Sequence, residues 1–258
     1  MPSNAPVGIF DSGVGGISVL AEARKLLPTE HFIYYGDTLH APYGTKSREE
    51  VLNLSEAAFD ILRYHGCKAI VIACNTATAA AASYLRQKWS DFPIIAMEPA
   101  LKPASLLRHG GNVIVLATPM TLRLEKFARL MELYGEGAIP VACPGLPEIV
   151  EDLDFSNAEI YLNDILQPYL KQTLDAVVLG CTHYVFLRSI LKEILPPVTQ
   201  IVDGNYGTAR QLERVLKQRN LCNNQIESGT CILTSSSQDP EAIDKMKKLL
   251  AFAEKNIQ

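Results

Sequence analysis

The sequence predicts an α/β fold built from two similar halves, each with a mostly parallel sheet. Three observations support this prediction. Short apolar runs alternate with helical patterns along the chain, which is typical of parallel strands covered by helices. Two segments of the first half resemble segments that lie 106 or 107 residues later. In both halves, the residues that follow the apolar runs are small, polar or reactive.

Nine apolar runs of four to six residues, rich in Val, Ile and aromatic residues, predict buried strands. The segments between them show helical spacing. Ser47, followed three residues later by Glu50, forms a capping box that predicts a helix start, and Gly66 predicts the end of that helix. Ser156 and Glu159 predict a second capping box. The predicted strands cover residues 6–10, 31–36, 69–73, 93–97, 112–117, 138–142, 175–180, 199–202 and 229–234.

The internal similarity distinguishes two lobes from one closed barrel. IVIACNTAT at 70–78 resembles VVLGCTHYV at 177–185, and VGIFDSG at 7–13 aligns with VIVLATP at 113–119. Two alignments at nearly the same offset indicate a duplicated half. They therefore favour two lobes over a barrel of eight strand–helix units.

Two prolines in MEPALKP, residues 97–103, mark the boundary between the halves. The tail of the chain has no counterpart within the second half, so we expect it to return to the first. The predicted first domain covers residues 1–97 plus 208–258, and the predicted second domain covers residues 98–207.

Composition excludes several classes of function. The net charge of −4 at pH 7 disfavours nucleic acid or an anionic membrane as a partner. No apolar run reaches the ~20 residues of a transmembrane helix, and the first residues show no signal-peptide pattern. Six cysteines without a C-x-x-C pair indicate free thiols, so we expect a cytoplasmic enzyme.

A glycine-rich segment, GVGG at 13–16, follows the first predicted strand. A dinucleotide fingerprint would need another glycine at Ser18, so the match fails. Asp11 lies just before the glycines and would repel a pyrophosphate, although Asp37 imitates the ribose-binding acid of nicotinamide enzymes. We therefore expect no nicotinamide or flavin cofactor. A tight turn explains the glycines, but it leaves Asp11 and Ser12 without a role.

Two cysteines, Cys74 and Cys181, occupy matching positions of the two halves, and each precedes polar side chains at a predicted helix N-terminus. Such a position lowers the pKa of a thiol and attracts a carboxylate. Two facing thiols suit the transfer of a proton from one face of a carbon to the other. We expect unbridged sulfurs roughly 6–8 Å apart. The remaining cysteines are predicted to be structural: Cys67, Cys143, Cys222 and Cys231.

These motifs resemble those of the glutamate racemase family, within the wider aspartate/glutamate racemase group. The resemblance implies two flavodoxin-like domains that face each other across the active site. It also implies that the enzyme needs no cofactor or metal and supplies D-glutamate for peptidoglycan synthesis. We expect a homodimer. The matching segments are VGIFDSGVGGISVL at 7–20, YYGDTLHAPYGTKS at 34–47, VIACNTATAA at 71–80, EPALKPA at 98–104 and VVLGCTHY at 177–184.

The resemblance also implies roles for individual residues. Cys74 and Cys181 would be the two acid/base residues. Asp11 would assist Cys74, whereas His183 and Glu151 would assist Cys181. The implied contacts to glutamate are Asp11, Ser12, Tyr43, Gly44, Asn75, Thr76, Thr118, Thr182 and His183.

Several alternatives stay open at this point. Glu148 and Asp152 lie close to Glu151 and compete for its role. The substrate is glutamate, aspartate or another amino acid, and a binding protein without catalysis is a third hypothesis that the intact cysteine pair disfavours. A Cys–His hydrolase, suggested by the spacing of Cys181 and His183, would leave the first cysteine unused.

Overall fold

A computed structural model of the chain describes residues 2–237 and 239–256. These residues form two parallel sheets with helices packed against them. The strands are β1 Val7–Asp11, β2 Phe32–Gly36, β3 Ala69–Ile72, β4 Ile94–Ala96, β5 Asn112–Ala117, β6 Ala138–Ala142, β7 Leu174–Leu179, β8 Gln200–Asp203 and β9 Cys231–Ser235. The α-helices are α1 Ile17–Leu26, α2 Arg48–Tyr64, α3 Asn75–Lys88, α4 Leu101–Leu106, α5 Pro119–Arg123, α6 Glu125–Tyr134, α7 Leu146–Glu151, α8 Phe155–Leu166, α9 Arg188–Ile194, α10 Asn205–Gln218 and α11 Pro240–Asn256. Short 3-10 helices cover Thr38–His40, Tyr43–Thr45 and Thr182–Leu187.

All nine predicted strands are confirmed, with ends that differ by at most two residues. The capping box of α2 is also confirmed, because the Glu50 N–H donates to Ser47 Oγ at 3.2 Å and the Ser47 N–H donates to the Glu50 carboxylate at 2.9 Å. The second predicted box is wrong. Asp154 caps α8 by accepting the Asn157 N–H at 3.1 Å, because an aspartate is as good an N-cap as a serine and lies earlier in the chain.

The two sheets share one strand order. The first sheet runs β4-β3-β1-β2-β9, the second runs β6-β5-β7-β8, and all neighbouring strands are parallel. Apart from β9, each sheet therefore places its first strand between its second and third, a doubly wound arrangement. The predicted α/β fold of two similar parallel sheets is confirmed, and a single barrel is excluded.

The tail of the chain returns to the first sheet, where β9 pairs with β2. Helices α10 and α11 pack against α1. We call the first sheet with its helices the first lobe, and the second sheet with its helices the second lobe. The predicted domain limits at residues 97 and 208 stay a prediction. Residue 208 lies inside α10, a helix that packs against α1 of the first lobe.

Helices cover both faces of the first sheet, and β1, β2 and β3 are buried along their whole length. Within the part of the chain that the structure describes, no helix is both long enough and apolar enough to cross a bilayer.

A buried ion pair fastens three separate segments of the first lobe. The side chains of Lys68 and Glu30 are 0% and 2% exposed, and Lys68 Nζ lies 2.5 Å from Glu30 Oε2. Lys68 also donates to the carbonyl of Ser3, and the Asn223 N–H donates to Glu30 Oε1 at 2.7 Å. The pair thus holds these three segments, namely the start of the chain, the segment before β2 and the segment before β9, to Lys68 just before β3.

Replacing Lys68 with methionine should destabilise the protein by about 3–5 kcal/mol, because Glu30 would keep its charge in the interior without a cation. The measurement is the free energy of unfolding in urea. Lys88→Met is the matched control, since the ion pair of Lys88 with Glu56 lies at the surface and its loss should leave stability nearly unchanged. Equal stability of the two variants would contradict the prediction.

Candidate active site

The candidate site lies where strands of both sheets end, as expected for open parallel sheets. Asp11 ends β1, Cys74 follows β3, and Thr118 follows β5. Two further cysteines, Cys143 and Cys181, follow at or near the ends of β6 and β7. A cavity of about 320 Å³ lies among these strand ends and is lined by both lobes.

The cavity brings nearly all predicted site residues together. Cys74 and Cys181 both line it, and neither forms a disulfide. Asp11 is the one predicted residue outside its wall, because that side chain is 0% exposed. The separation of the two sulfurs stays a prediction. The other predicted residues in the wall are Ser12, Tyr43, Gly44, Asn75, Thr76, Thr118, Glu151, Thr182 and His183.

A chain of three side chains supports Cys181. His183 Nδ1 lies 3.5 Å from Cys181 Sγ, and His183 Nε2 lies 2.8 Å from Glu151 Oε1. Burial alone would lower the pKa of His183, but its hydrogen bonds to Cys181 and Glu151 outweigh burial and raise that pKa. Burial likewise opposes ionisation of Glu151, yet the hydrogen bond from His183 lowers the pKa of that carboxyl. The arrangement can therefore pass a proton to or from the thiol.

The sequence alone did not decide which of three carboxylates, Glu148, Glu151 or Asp152, is the partner of His183. Glu151 is the one that contacts the imidazole. Glu148 and Asp152 also border the cavity, and Asp152 lies 3.9 Å from Lys245 at the surface. The segment after Cys181 differs from the expected α-helix, since it forms a 3-10 helix before α9 begins.

The Glu151–His183 pair should stabilise the fold most between about pH 4.5 and 6.5. The lowered pKa of Glu151 contributes stability above the ordinary carboxyl pKa, and this contribution is lost as the pH falls through the folded value. The raised pKa of His183 contributes fully below the ordinary imidazole pKa, and this contribution is lost as the pH rises through the folded value. Thermal melts of wild type and Glu151→Gln across pH 3–10 test this; a difference in melting temperature that does not change with pH would contradict it.

Cys74 has a different environment. Its thiol donates to Ser12 Oγ at 3.4 Å, and the Ala77 N–H at the start of α3 donates to its sulfur at 3.4 Å. Burial, followed by the charge of Asp11, raises the pKa of Cys74 to about 12. The Ala77 N–H at the helix N-terminus lowers this pKa as expected, but its effect is smaller than the cost of burying a thiolate, so the net shift is upward.

Asp11 connects the two lobes from behind the cavity wall. Its carboxylate accepts the Gly13 N–H at 2.8 Å within the first lobe and the Thr182 hydroxyl of the second lobe at 3.0 Å. The Ser12 hydroxyl donates to it at 3.4 Å, which continues the path from Cys74. Burial raises the pKa of Asp11, although the charge of His183 opposes this effect. Asp11 is thus linked to Cys74 through Ser12, and it also contacts Thr182, the residue that follows Cys181.

Hydrogen-bonding side chains line the rest of the cavity or lie directly behind its wall. The Asn75 side chain is buried, and neither its amide nitrogen nor its amide oxygen has a partner. Three hydroxyls, those of Thr76, Thr118 and Thr121, lie 2.9–3.1 Å from one another across the two lobes. An unpartnered buried amide is costly, so its position at the cavity indicates a ligand-binding role.

Asp37, which imitates a ribose-binding acid in the sequence, holds the loop that carries Tyr43 and Gly44. Its carboxylate accepts the Tyr43 hydroxyl at 2.6 Å and contacts His40 Nδ1 at 2.8 Å. Burial and the neighbouring Asp37 raise the pKa of Tyr43, so its hydroxyl stays protonated. These contacts fix the position of Tyr43 in the cavity wall.

Sequence reasoning missed two residues of the site. Cys143 was predicted to be structural and distant from the strand ends, but it directly follows β6 and lines the cavity. Burial raises the pKa of Cys143 to about 12. The predicted strand at 138–142 already pointed to this position. Thr121 lies one helical turn after Thr118 on the same face of α5, a spacing that also could have been noticed.

Metal-binding geometry is absent from the described ranges 2–237 and 239–256. No group of three or more His, Cys, Asp or Glu side chains in them is arranged to hold a metal ion.

Comparisons with known proteins agree with this geometry. A profile of the Asp/Glu/Hydantoin racemase family matches residues 17–212. A glutamate racemase of Clostridium botulinum is 49% identical over 251 residues, which cover 96% of this chain and 97% of the relative. Glutamate racemase isoform RacE1 from Bacillus anthracis superposes with a TM-score of 0.87 at 29% identity, over 96% of this chain and 95% of that one. The Francisella tularensis glutamate racemase, solved in complex with D-glutamate, gives a TM-score of 0.84 at 25% identity, over 96% and 94% of the two chains.

The chain belongs to the Asp/Glu/Hydantoin racemase family. The relatives that it matches over nearly their whole length are glutamate racemases, so the resemblance seen in the sequence motifs is confirmed.

Proposed function

We propose that this protein interconverts L- and D-glutamate without a cofactor, using Cys74 and Cys181 as two acid/base residues on opposite faces of the substrate. The observation that carries the proposal is that both thiols, one from each lobe, line one cavity. Family membership supports racemisation of glutamate. The division of labour between the thiols goes further and rests on the site geometry and on the resemblance.

In each direction, one sulfur removes the Cα proton as a thiolate and the other sulfur returns a proton as a thiol. By resemblance, Cys181 deprotonates L-glutamate and Cys74 deprotonates D-glutamate. After one turnover the protonation states of the two sulfurs are exchanged. Glu151 and His183 can restore the state of Cys181 because they connect its sulfur to the edge of the cavity.

Substrate binding is expected to activate Cys74. With its pKa raised to about 12, the thiol of Cys74 is almost entirely protonated near neutral pH. An ammonium group within ~4–6 Å favours the charged form of a thiol and lowers its pKa. Glutamate would bring such a group close to Cys74, where the charge of Asp11 adds to burial in raising the pKa of the thiol. Thiolate formation and glutamate binding would thus be coupled.

The two carboxylates of glutamate need donors in a cavity of this size. The unpartnered amide of Asn75 supplies one donor. The hydroxyls of Thr76 and Thr118 supply two more, because both line the cavity while Thr121 lies behind them. The positions of these donor groups support Asn75, Thr76 and Thr118 as substrate-binding residues.

One assay tests the proposed function against its alternatives. The protein, dialysed against a chelator with its thiols kept reduced, is incubated with L-glutamate or L-aspartate without added cofactor, and optical rotation is followed. Decay of the glutamate signal to zero is expected. Decay with aspartate alone would indicate a different substrate, and no decay with either would favour a binding protein. Activity that returns only after a metal or cofactor is added would contradict cofactor independence.

We further propose that the product serves peptidoglycan synthesis in the cytoplasm and that the enzyme forms a homodimer. Depleting the protein from its host should stop growth, and D-glutamate in the medium should restore it. Sedimentation equilibrium of the full chain measures the assembly, and a mass of 28.3 kDa at all concentrations would contradict the dimer.

A further inference from the structure

The glycine-rich turn at 13–16 has no part in the proposed chemistry, yet it contacts the residues that serve Cys181. The turn belongs to the first lobe, whereas its neighbours belong to the second. A Cβ atom added at Gly15 would lie 2.5 Å from His183 Nδ1 and 2.6 Å from Thr182 Oγ1. A Cβ atom added at Gly13 would overlap Glu151 Oε1. The absence of these side chains is therefore what allows the two lobes to meet here.

Hydrogen bonds reinforce this contact. The Val14 N–H points to Glu151 Oε1 at 3.4 Å, the same oxygen that lies 2.8 Å from His183 Nε2. Behind the turn, the hydroxyl of the buried Tyr34 donates to the Gly13 carbonyl at 2.9 Å. The turn is thus held from its own lobe while it touches the acid and the imidazole of the other.

We propose that this turn positions the proton relay of Cys181, and that Gly13 and Gly15 are positioning residues for His183 and Glu151. The proposal rests on the two-cysteine function given above. With hydrogen at position 15, the imidazole lies against the backbone and keeps Nδ1 3.5 Å from Cys181 Sγ. Ordinary contacts between carbon and nitrogen need about 3.5 Å, so a methyl group at Gly15 would push the ring by roughly 1 Å.

The expected consequence is one-sided. His183 is buried apart from the side that borders the cavity, so a ring pushed by the added methyl group would move toward the cavity and change its distance to Cys181. A displacement of about 1 Å at a reacting group can cost about 10²-fold in rate. Cys74 contacts Ser12 and Ala77 instead, and neither residue supplies any of the three atoms nearest to a Cβ atom at Gly15. The Thr182 hydroxyl, which that Cβ atom would also meet, reaches Cys74 only indirectly, through Asp11 and Ser12. Proton transfers through Cys181 should slow, and those through Cys74 should not.

The test compares Gly15→Ala with Gly207→Ala, a glycine in α10 whose added Cβ would meet nothing within 4 Å. For Gly15→Ala we expect kcat/KM to fall by about 10²-fold, equally in both directions because the equilibrium is fixed. Primary deuterium isotope effects, measured with each enantiomer deuterated at C2, should change in opposite directions. The effect on L-glutamate should rise, since removal of its proton by Cys181 becomes the slow step. The effect on D-glutamate should fall, since its slow step becomes reprotonation by Cys181.

Gly207→Ala should keep wild-type kinetics. Loss of activity in Gly15→Ala with isotope effects that do not change in opposite directions would show a merely structural role and overturn the inference, as would wild-type activity. If Gly15→Ala does not fold, Gly13→Ala provides the same test, because its methyl group would overlap the Glu151 carboxylate, not the imidazole, and should change the two isotope effects in the same directions by a smaller amount. Wild-type protein that does not racemise glutamate would contradict the proposed function itself, which separates the two failures.

Discussion

Alanine in place of either Cys74 or Cys181 should reduce racemisation of glutamate by about 10⁴-fold in both directions. Each direction uses one sulfur to remove the proton and the other to return it, so neither variant keeps a complete path. Both thiols line the same cavity, and alanine removes little more than the sulfur. The measurement is the rate of change of optical rotation, starting separately from L- and D-glutamate.

Cys67→Ala is the matched control for these variants. Cys67 is also fully buried and has a raised pKa, but it does not line the cavity. Its replacement should lower stability and leave kcat/KM unchanged. If Cys74→Ala or Cys181→Ala racemised glutamate at close to the wild-type rate, the proposed two-cysteine mechanism would be wrong.

His183→Asn should lower kcat/KM by about 10²–10³-fold. Asparagine retains a polar group near the position of Nδ1, but it cannot accept and release a proton between Glu151 and Cys181. The dependence of kcat/KM on pH should change with it, because the group with the raised pKa has been removed. Measuring pH–rate profiles for both enantiomers checks this.

His65→Asn serves as the control, since His65 lies exposed at the end of α2. It should reproduce the wild-type profile. A His183→Asn profile of wild-type shape, merely lower in amplitude, would indicate that His183 is a structural residue and not part of the proton path.

Local patterns in the sequence were enough to predict the sheets. Parallel strands buried on both faces, such as β1 and β3, appear as continuous apolar runs. The edge strand β9 is mostly half-buried, yet its short apolar run was enough to place it. The capping box at Ser47 is equally local. The start of α8 was misplaced because Asp154 and Ser156 are both good N-caps, and the choice between them depends on how the chain enters the helix.

The candidate site could be predicted as a set of strand ends, but not as an arrangement. Gly15 and His183 are 168 residues apart in sequence, and no local pattern shows that they touch. The position of Asp11 behind the cavity wall also depends on the approach of the second lobe, through Thr182. The raised pKa of Cys74 follows from burial, which only the packed molecule determines.

The place of β9 in the first sheet has a consequence for the order in which the protein can form during synthesis. The strands of the second sheet are contiguous, from Asn112 to Asp203, so all of them are synthesised before β9. The first sheet needs Cys231–Ser235 beside β2, followed by α11 packed on α1. Domains usually complete their folds from the N-terminus onward as the chain emerges. Here the half that begins first is completed last, so a nascent chain should acquire its catalytic cavity only after β9 and α11 have been synthesised.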